Sequence, residues 1–417
     1  QGWRVDIRRY PRLAEVGAWR VDRTSEPWHH RVPPVRDEKA TCGGCYSRED
    51  IREIVEYARR RYVTIVPEIE MPGHSRAAIA AYPDLLCTRQ ALPVAPGGRP
   101  LEHNALCPGR EETFEFICNV LDEVIELFPG PYLHIGGDEC DKSDWKACPD
   151  CRRRMREEGL ASVEDLQGYL IRRVEKHISS RGRKLVGWDE ILEGGVPPGA
   201  VVMSWHGTSG GLAAARSGHD VVMTPHQEVY FDYAQGQKSL EPQPMGWNTL
   251  LSRVYRFEPV PAEMSPEDAG HVLGSQGCLW SEFITSPGQV EYMTYPRALA
   301  LGEALWSPAP RRDWPDFARR LEAQLERLDR LGIGYARSAF DVWIAQSMGQ
   351  DRGEDRLLTF STELPGQEIR YTLDGSDPEA GSPPAGGLVY ARAGTTVKAA
   401  VFRDGGRFSK VTTLVVQ

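Results

Sequence analysis

Between residues 47 and 306 two kinds of hydrophobic pattern alternate along the chain. In the first, apolar positions recur three and four apart, as in SREDIREIVEYARRR at 47–61, where Ser47 and Asp50 also have the spacing of a helix N-cap and its partner. The same reading predicts helices at 111–127 and 162–180. In the second, a short apolar run is almost unbroken: YVTIVPEIE, YLHIGGDE, KLVGWDE, AVVMSWHG, DVVMTPHQEVY and VLGSQGCLWSE. Runs that do not alternate with polar residues suit strands buried on both faces, and so a parallel sheet covered by helices. Six such strands are expected, the first at 63–70 and the last at 272–282.

Each run closes on polar and aromatic residues. Glu68 and Glu70 end the first, Asp138 and Glu139 the second, and Trp188, Asp189 and Glu190 the third; Trp205 with His206, Tyr230 with Asp232, and Trp280 with Glu282 follow. Chemistry at the C-terminal ends of successive strands is the pattern of a (β/α)8 TIM-type barrel, whereas a doubly wound sheet would concentrate it at one crevice. The expected fold class is therefore α/β, a (β/α)8 barrel of which about six strands are present. Near residue 355 the pattern changes to short alternating strands with Asp-Gly and Gly-Gly turns. The expected domains are a catalytic barrel over 1–350, truncated at its N-terminus, and a β-sandwich over 355–417, joined through helices at 313–331 and 338–347.

Composition narrows the partners. The 417 residues are 41% hydrophobic and 26% charged, with a net charge of −9 and no long basic run. That disfavours nucleic acid or an anionic membrane surface. No apolar run reaches the roughly 20 residues of a membrane-spanning helix. Nine cysteines leave at least one unpaired within the chain. Cys42 with Cys45 and Cys148 with Cys151 form two C-x-x-C pairs, the spacing of a structural zinc site, although about a hundred residues lie between them. Loop cysteines or local disulfides are the alternatives, and Cys87 with Cys107 brackets a Pro/Gly-rich loop as a disulfide staple would.

Trp188, Trp205 and Trp280 stand at equivalent strand ends, Trp188 and Trp280 within two residues of an acid and Trp205 beside His206. Indole faces stack on sugar C–H surfaces while carboxylates accept from hydroxyls, so the mouth suits a carbohydrate. The Asp138–Glu139 pair is then informative. Most glycosidases place two carboxylates about 5–5.5 Å or 6.5–9.5 Å apart across the bond, which adjacent residues cannot easily do. They can divide the work if a substrate group is the nucleophile: one protonates the leaving oxygen, the other holds the substrate's acetamide.

The stretch HIGGDE at 134–139 resembles the catalytic signature of glycoside hydrolase family 20, the β-N-acetylhexosaminidases. QGWRVDIRRYPRLAEVGAWR at the start, EIEMPGHSRAA at 68–78, VGWDE at 186–190, SWHG at 204–207, YFDY at 230–233 and LWSE at 279–282 resemble the same family in the same order. Residues 357–417 are similar to the β-sandwich appended to many bacterial members. The resemblance implies release of terminal N-acetylhexosamine from β-linked glycans with retention, no cofactor, and a periplasmic or extracellular location. It implies Glu139 as general acid and then base, Asp138 as acceptor from the acetamide N–H, and Tyr230 as donor to the acetamide oxygen. Trp188, Trp205 and Trp280 would wall the sugar pocket, Asp232 and Glu282 hold the outer hydroxyls, and His74 belong to a supporting network. The family also carries upstream strands, with an arginine clamp, that precede QGWR; the chain reads as a fragment of such an enzyme. Two other readings stay open: a non-catalytic glycan-binding remnant, and a metal-dependent barrel using the acids at the ends of the first three strands.

Overall fold

The computed structural model describes residues 2–35, 37–97, 102–348 and 355–417. They gather into two compact units, one reaching to Met223 and including Val260–Gly274, the other Thr224–Pro259 and Ser275–Gln417.

The first unit is built on a parallel sheet of β1 (Tyr132–His134), β2 (Lys184–Trp188), β3 (Val201–Ser204), β4 (Val221–Met223) and β5 (Val272–Ser275), neighbours in chain order. Their apolar runs are buried as the pattern requires: Leu133, Leu185, Val202 and Val221 are at most 1% exposed. Helices Arg48–Arg59 and Glu111–Leu127 precede β1 in the chain and Val163–Ser180 connects β1 to β2, two of the three opened by capping boxes, Ser47 with Asp50 and Ser162 with Asp165. The register pairs His134 with Val186, Trp188 with Met203, and Ser204 with Met223, so the polar ends of the strands come out along one edge.

Five of the six expected strands form this sheet, and the expectation for 63–70 is met only in part. Residues 67–71 lie along β1, where the Ile69 and Met71 amides donate to the His134 and Ile135 carbonyls at 2.9 Å. Residues 62–63 are used otherwise. Tyr62 takes a left-handed turn with φ of 59°, and Val63 N–H donates to the Ala58 carbonyl, which closes the preceding helix before a strand can begin.

In the second unit a short parallel pairing joins Tyr230 to Cys278, with Cys278 N–H donating to the Val229 carbonyl at 2.8 Å. Helix Trp314–Leu331 starts on an Asp313 cap and stops at Gly332, whose φ is 67°. The C-terminal part is antiparallel: Trp343–Met348, Arg356–Ser361 and Val389–Ala391 form one sheet, and Glu368–Thr372, Thr396–Arg403, Gly406–Arg407 and Thr412–Val415 another. The helix expected at 338–347 is absent. Ser338–Phe340 is a single 3-10 turn, and Trp343–Met348 pairs with Arg356–Ser361, which puts Ile344 in the apolar core formed with Leu358, Val389 and Val397. Tertiary pairing has overridden a helical reading of a short apolar run. Residues 349–354, where the expected domain boundary falls, lie outside the described residues. No helix among the described residues is long and apolar enough to cross a membrane.

Candidate active site

β1 ends at His134, and the chain then bends instead of continuing as strand. Gly136 and Gly137 have φ of 69° and 97°, and Glu139 itself has φ of 44°. Glycine is required at 136 because a Cβ there would stand 1.8 Å from Glu70 Oε2. The bend changes the geometry of adjacent acids. On an extended strand they would face apart, but here both carboxyls reach one imidazole, His74 Nε2 lying 3.5 Å from Asp138 Oδ2 and 3.4 Å from Glu139 Oε2. His74, also left-handed at φ of 48°, stands just before helix Arg76–Ala81. Burial disfavours its charge, but hydrogen bonds and charges from Asp138 and Glu139 outweigh that and push its pKa up to about 10. It is an imidazolium at neutral pH. The two acids differ in access: the Asp138 side chain is 15% exposed and that of Glu139 61%. Asp138 Oδ1 is buried and accepts no hydrogen bond among the described residues.

Further groups hold this pair. Glu190 Oε2 accepts from the Glu139 amide at 3.0 Å, and Gln167 Nε2 donates to the Gly137 carbonyl at 2.8 Å. Glu68 Oε1 accepts from Trp188 Nε1 at 2.9 Å and lies 3.1 Å from His134 Nδ1. Trp188 is thereby fixed, buried, at the end of β2 with its ring 4.8 Å from that of His134. Glu70 sits beneath Gly136, its pKa raised first through burial and then through the charges of Asp138 and Glu68. Trp205 follows β3 and stacks on His206 at 3.8 Å between centroids, and His206 Nδ1 is 3.0 Å from Asp189 Oδ1.

The second unit holds the other expected residues. Tyr230 is buried and leads into Asp232, also buried, with Tyr233 at 5.7 Å from the Tyr230 ring. Burial and then the charge of Glu282 raise the Asp232 pKa to about 7, against its own backbone and Arg297. Asp232 Oδ1 has no hydrogen-bond partner among the described residues. Trp280 and Glu282 follow the Cys278 pairing and are partly buried. Arg297, fully buried, donates to the carbonyls of Phe231, Tyr233, Thr249 and Met293 and so fixes the YFDY turn.

Thus His74, Asp138, Glu139, Trp188 and Trp205 lie in the first unit, the first three in direct mutual reach, and Tyr230, Asp232, Trp280 and Glu282 in the second. Sequence reasoning placed Glu68, Glu70 and Glu190 at strand ends, with a part only in the metal-dependent alternative, and it passed over Gln167 and Arg297. The glycine pair before Asp138 was a readable signal for Glu70, since a missing side chain marks a close approach; for Arg297 no local signal exists.

The cysteine expectations need correcting. No disulfide joins any of the nine cysteines, so the expected Cys87–Cys107 staple is not formed. The zinc set of Cys42, Cys45, Cys148 and Cys151 is not assembled either. Cys42 is tied into a two-residue strand with Arg20, while the Sγ atoms of Cys87, Cys107, Cys148 and Cys151 come within 4.8 Å of one another. Arg110 lies beside this group, its guanidinium donating to the carbonyls of Leu86 and Cys87. Among the described residues the acids at the strand ends form no comparable ligand group.

Comparison with known proteins adds the family. Residues 1–309 match the model of the glycosyl hydrolase family 20 catalytic domain, and residues 358–416 that of the Fn3-associated domain. The chain is 40% identical to a beta-hexosaminidase of Porphyromonas gingivalis over 425 aligned residues, covering 100% of this chain and 52% of that protein. It is 39% identical to a beta-hexosaminidase of Vibrio furnissii, over 72% of this chain and 49% of that one. A crystal structure of the Vibrio harveyi family 20 exo-β-N-acetylglucosaminidase with N-acetylglucosamine superposes with a TM-score of 0.69 at 36% identity, covering 81% of this chain and 52% of that one. The chain spans about half the length of these relatives. With its catalytic-domain match running from the first residue through LWSE and beyond, the chain belongs to glycoside hydrolase family 20.

Proposed function

We propose that this protein removes terminal non-reducing N-acetylhexosamine from β-linked glycans by a retaining, substrate-assisted reaction. The observation that carries the reading is the division of labour within the acid pair. Asp138 is partly buried with one buried oxygen unpartnered among the described residues, Glu139 is open to solvent, and a single imidazolium touches both. The acetamide N–H donates to Asp138, which holds the group against the anomeric carbon and offsets the positive charge that develops as its carbonyl oxygen attacks. Tyr230 donates to that oxygen. Glu139 gives its proton to the leaving oxygen, and then takes one from the water that opens the cyclic oxazolinium intermediate. Trp188, Trp205 and Trp280 wall the sugar, and Asp232 with Glu282 accepts from its outer hydroxyls. His74 holds the two carboxyls in register rather than touching the sugar. Proton and nucleophile both come from Glu139 and the substrate, so the scheme needs no cofactor.

The parallel sheet of the first unit is, in this reading, part of a (β/α)8 barrel over 1–350, with a β-sandwich over 355–417, and glycans of the cell exterior or periplasm are the substrates. The test is turnover of an aryl β-N-acetylglucosaminide beside the matching aryl β-glucoside. Hydrolysis of the first with little of the second is expected. Equal hydrolysis of both would remove the acetamide from the reaction, and binding without turnover would leave a glycan-binding protein.

A further inference from the structure

We infer that Cys87, Cys107, Cys148 and Cys151 form a tetrahedral zinc site that fastens the segment following the acid pair. The spacing carries the inference. Four sulfurs about 2.3 Å from one zinc ion lie about 3.8 Å apart along the edges of a tetrahedron. Here Cys107 is 3.6 Å from Cys151 and 3.9 Å from Cys148, and Cys87 is 3.7 Å from Cys151, sulfur to sulfur. Those distances are far beyond a disulfide bond, and all four sulfurs are mutually within 4.8 Å.

The surroundings are those of a closed structural site. Cys107, Cys148 and Cys151 are buried in an apolar cluster with Trp145, Val163 and Leu166, and the partly buried Cys87 packs against it. Cys148 stands at the N-cap of helix Pro149–Glu157 and Cys151 lies in its first turn, so one helix end presents both sulfurs. A zinc ion with four thiolates carries a net charge of −2, each cysteine having released its proton to solvent. Arg110, buried and bonded to the Cys87 carbonyl at 3.1 Å, supplies a compensating charge. Gly109 permits the approach of the two ligand loops, since a Cβ there would stand 2.4 Å from the Cys151 nitrogen. The site would join two segments that flank the acids. One follows Glu139 through Trp145, which donates to the Leu106 carbonyl at 3.0 Å. The other runs back from Cys107 through Asn104, whose carbonyl accepts from Ser75, the neighbour of His74, at 2.9 Å.

The test is metal analysis of the untagged protein purified without chelators, together with X-ray absorption at the zinc edge. About one zinc per chain with four sulfur neighbours near 2.3 Å is expected. The Cys107→Ser variant should fall to near zero, while Cys42→Ser/Cys45→Ser keeps its zinc. If the Cys107 variant does not fold, absorption on the unaltered protein decides alone. Metal-free thiols that take up no added zinc, a Cys87–Cys107 disulfide in a non-reducing peptide map, or zinc bound through nitrogen and oxygen would each overturn the inference. None of these readouts depends on glycosidase activity.

Discussion

His74 lies against both acids, and its pKa near 10 has a measurable consequence. The folded value lies above that of a free histidine, about 6.5, so folding takes up a proton. The stability this contributes is whole below about pH 6.5 and is lost as pH rises through about 10. Urea midpoints should therefore fall between pH 7 and pH 10 in the native protein, and fall less in His74→Gln; parallel curves would place no charge on His74. For Glu139 the expectation concerns the leaving group. General-acid catalysis is worth typically 10²–10⁴-fold, and a nitrophenolate needs little of it. Glu139→Gln should lose most of its activity on sugar or alkyl aglycones and much less on nitrophenyl ones, as initial rates on the two substrate types will show. The positions of Asp138 and Glu139 after β1, of Trp188 at the end of β2 and of Trp205 after β3 were legible because an apolar run that stops on polar and aromatic residues announces a strand end. The position of His74 between the acids was not, because it depends on two left-handed residues, His74 and Glu139, that sequence pattern does not mark.

At the scale of elements, the bend after β1 is the feature on which the pair's geometry rests. Gly136→Ala meets both a left-handed φ and the buried Glu70 carboxyl, whereas Gly199→Ala meets a φ of 85° with nothing within 4 Å. A left-handed alanine costs roughly 1–2 kcal/mol on its own. Gly199→Ala should show that loss and Gly136→Ala a clearly larger one in urea unfolding; equal losses would mean that Glu70 does not pack against the bend. The parallel strands and capped helices were readable because local preference and burial agree there. The segment Trp343–Met348 was misread because a short apolar run has no period of its own, and its partner, Arg356–Ser361, decides it.

For the molecule as a whole, the segment leading into 67–71 leaves apolar side chains uncovered, with Tyr62 99%, Val63 54% and Val66 41% exposed. Exposed apolar residues beside unpaired backbone promote pairing between chains. The protein is expected to self-associate through this segment, and Val63→Lys with Val66→Lys to reduce this in light scattering; a monodisperse native chain would contradict it. The central claim, that the substrate's own acetamide is the nucleophile, is tested most directly by replacing its methyl hydrogens with fluorine one at a time in an aryl β-N-acetylglucosaminide. Each fluorine withdraws electron density from the carbonyl oxygen, so the account predicts a steady fall in kcat across the mono-, di- and trifluoro substrates. A rate indifferent to fluorination would show that a carboxylate of the protein attacks the sugar directly, and would contradict it.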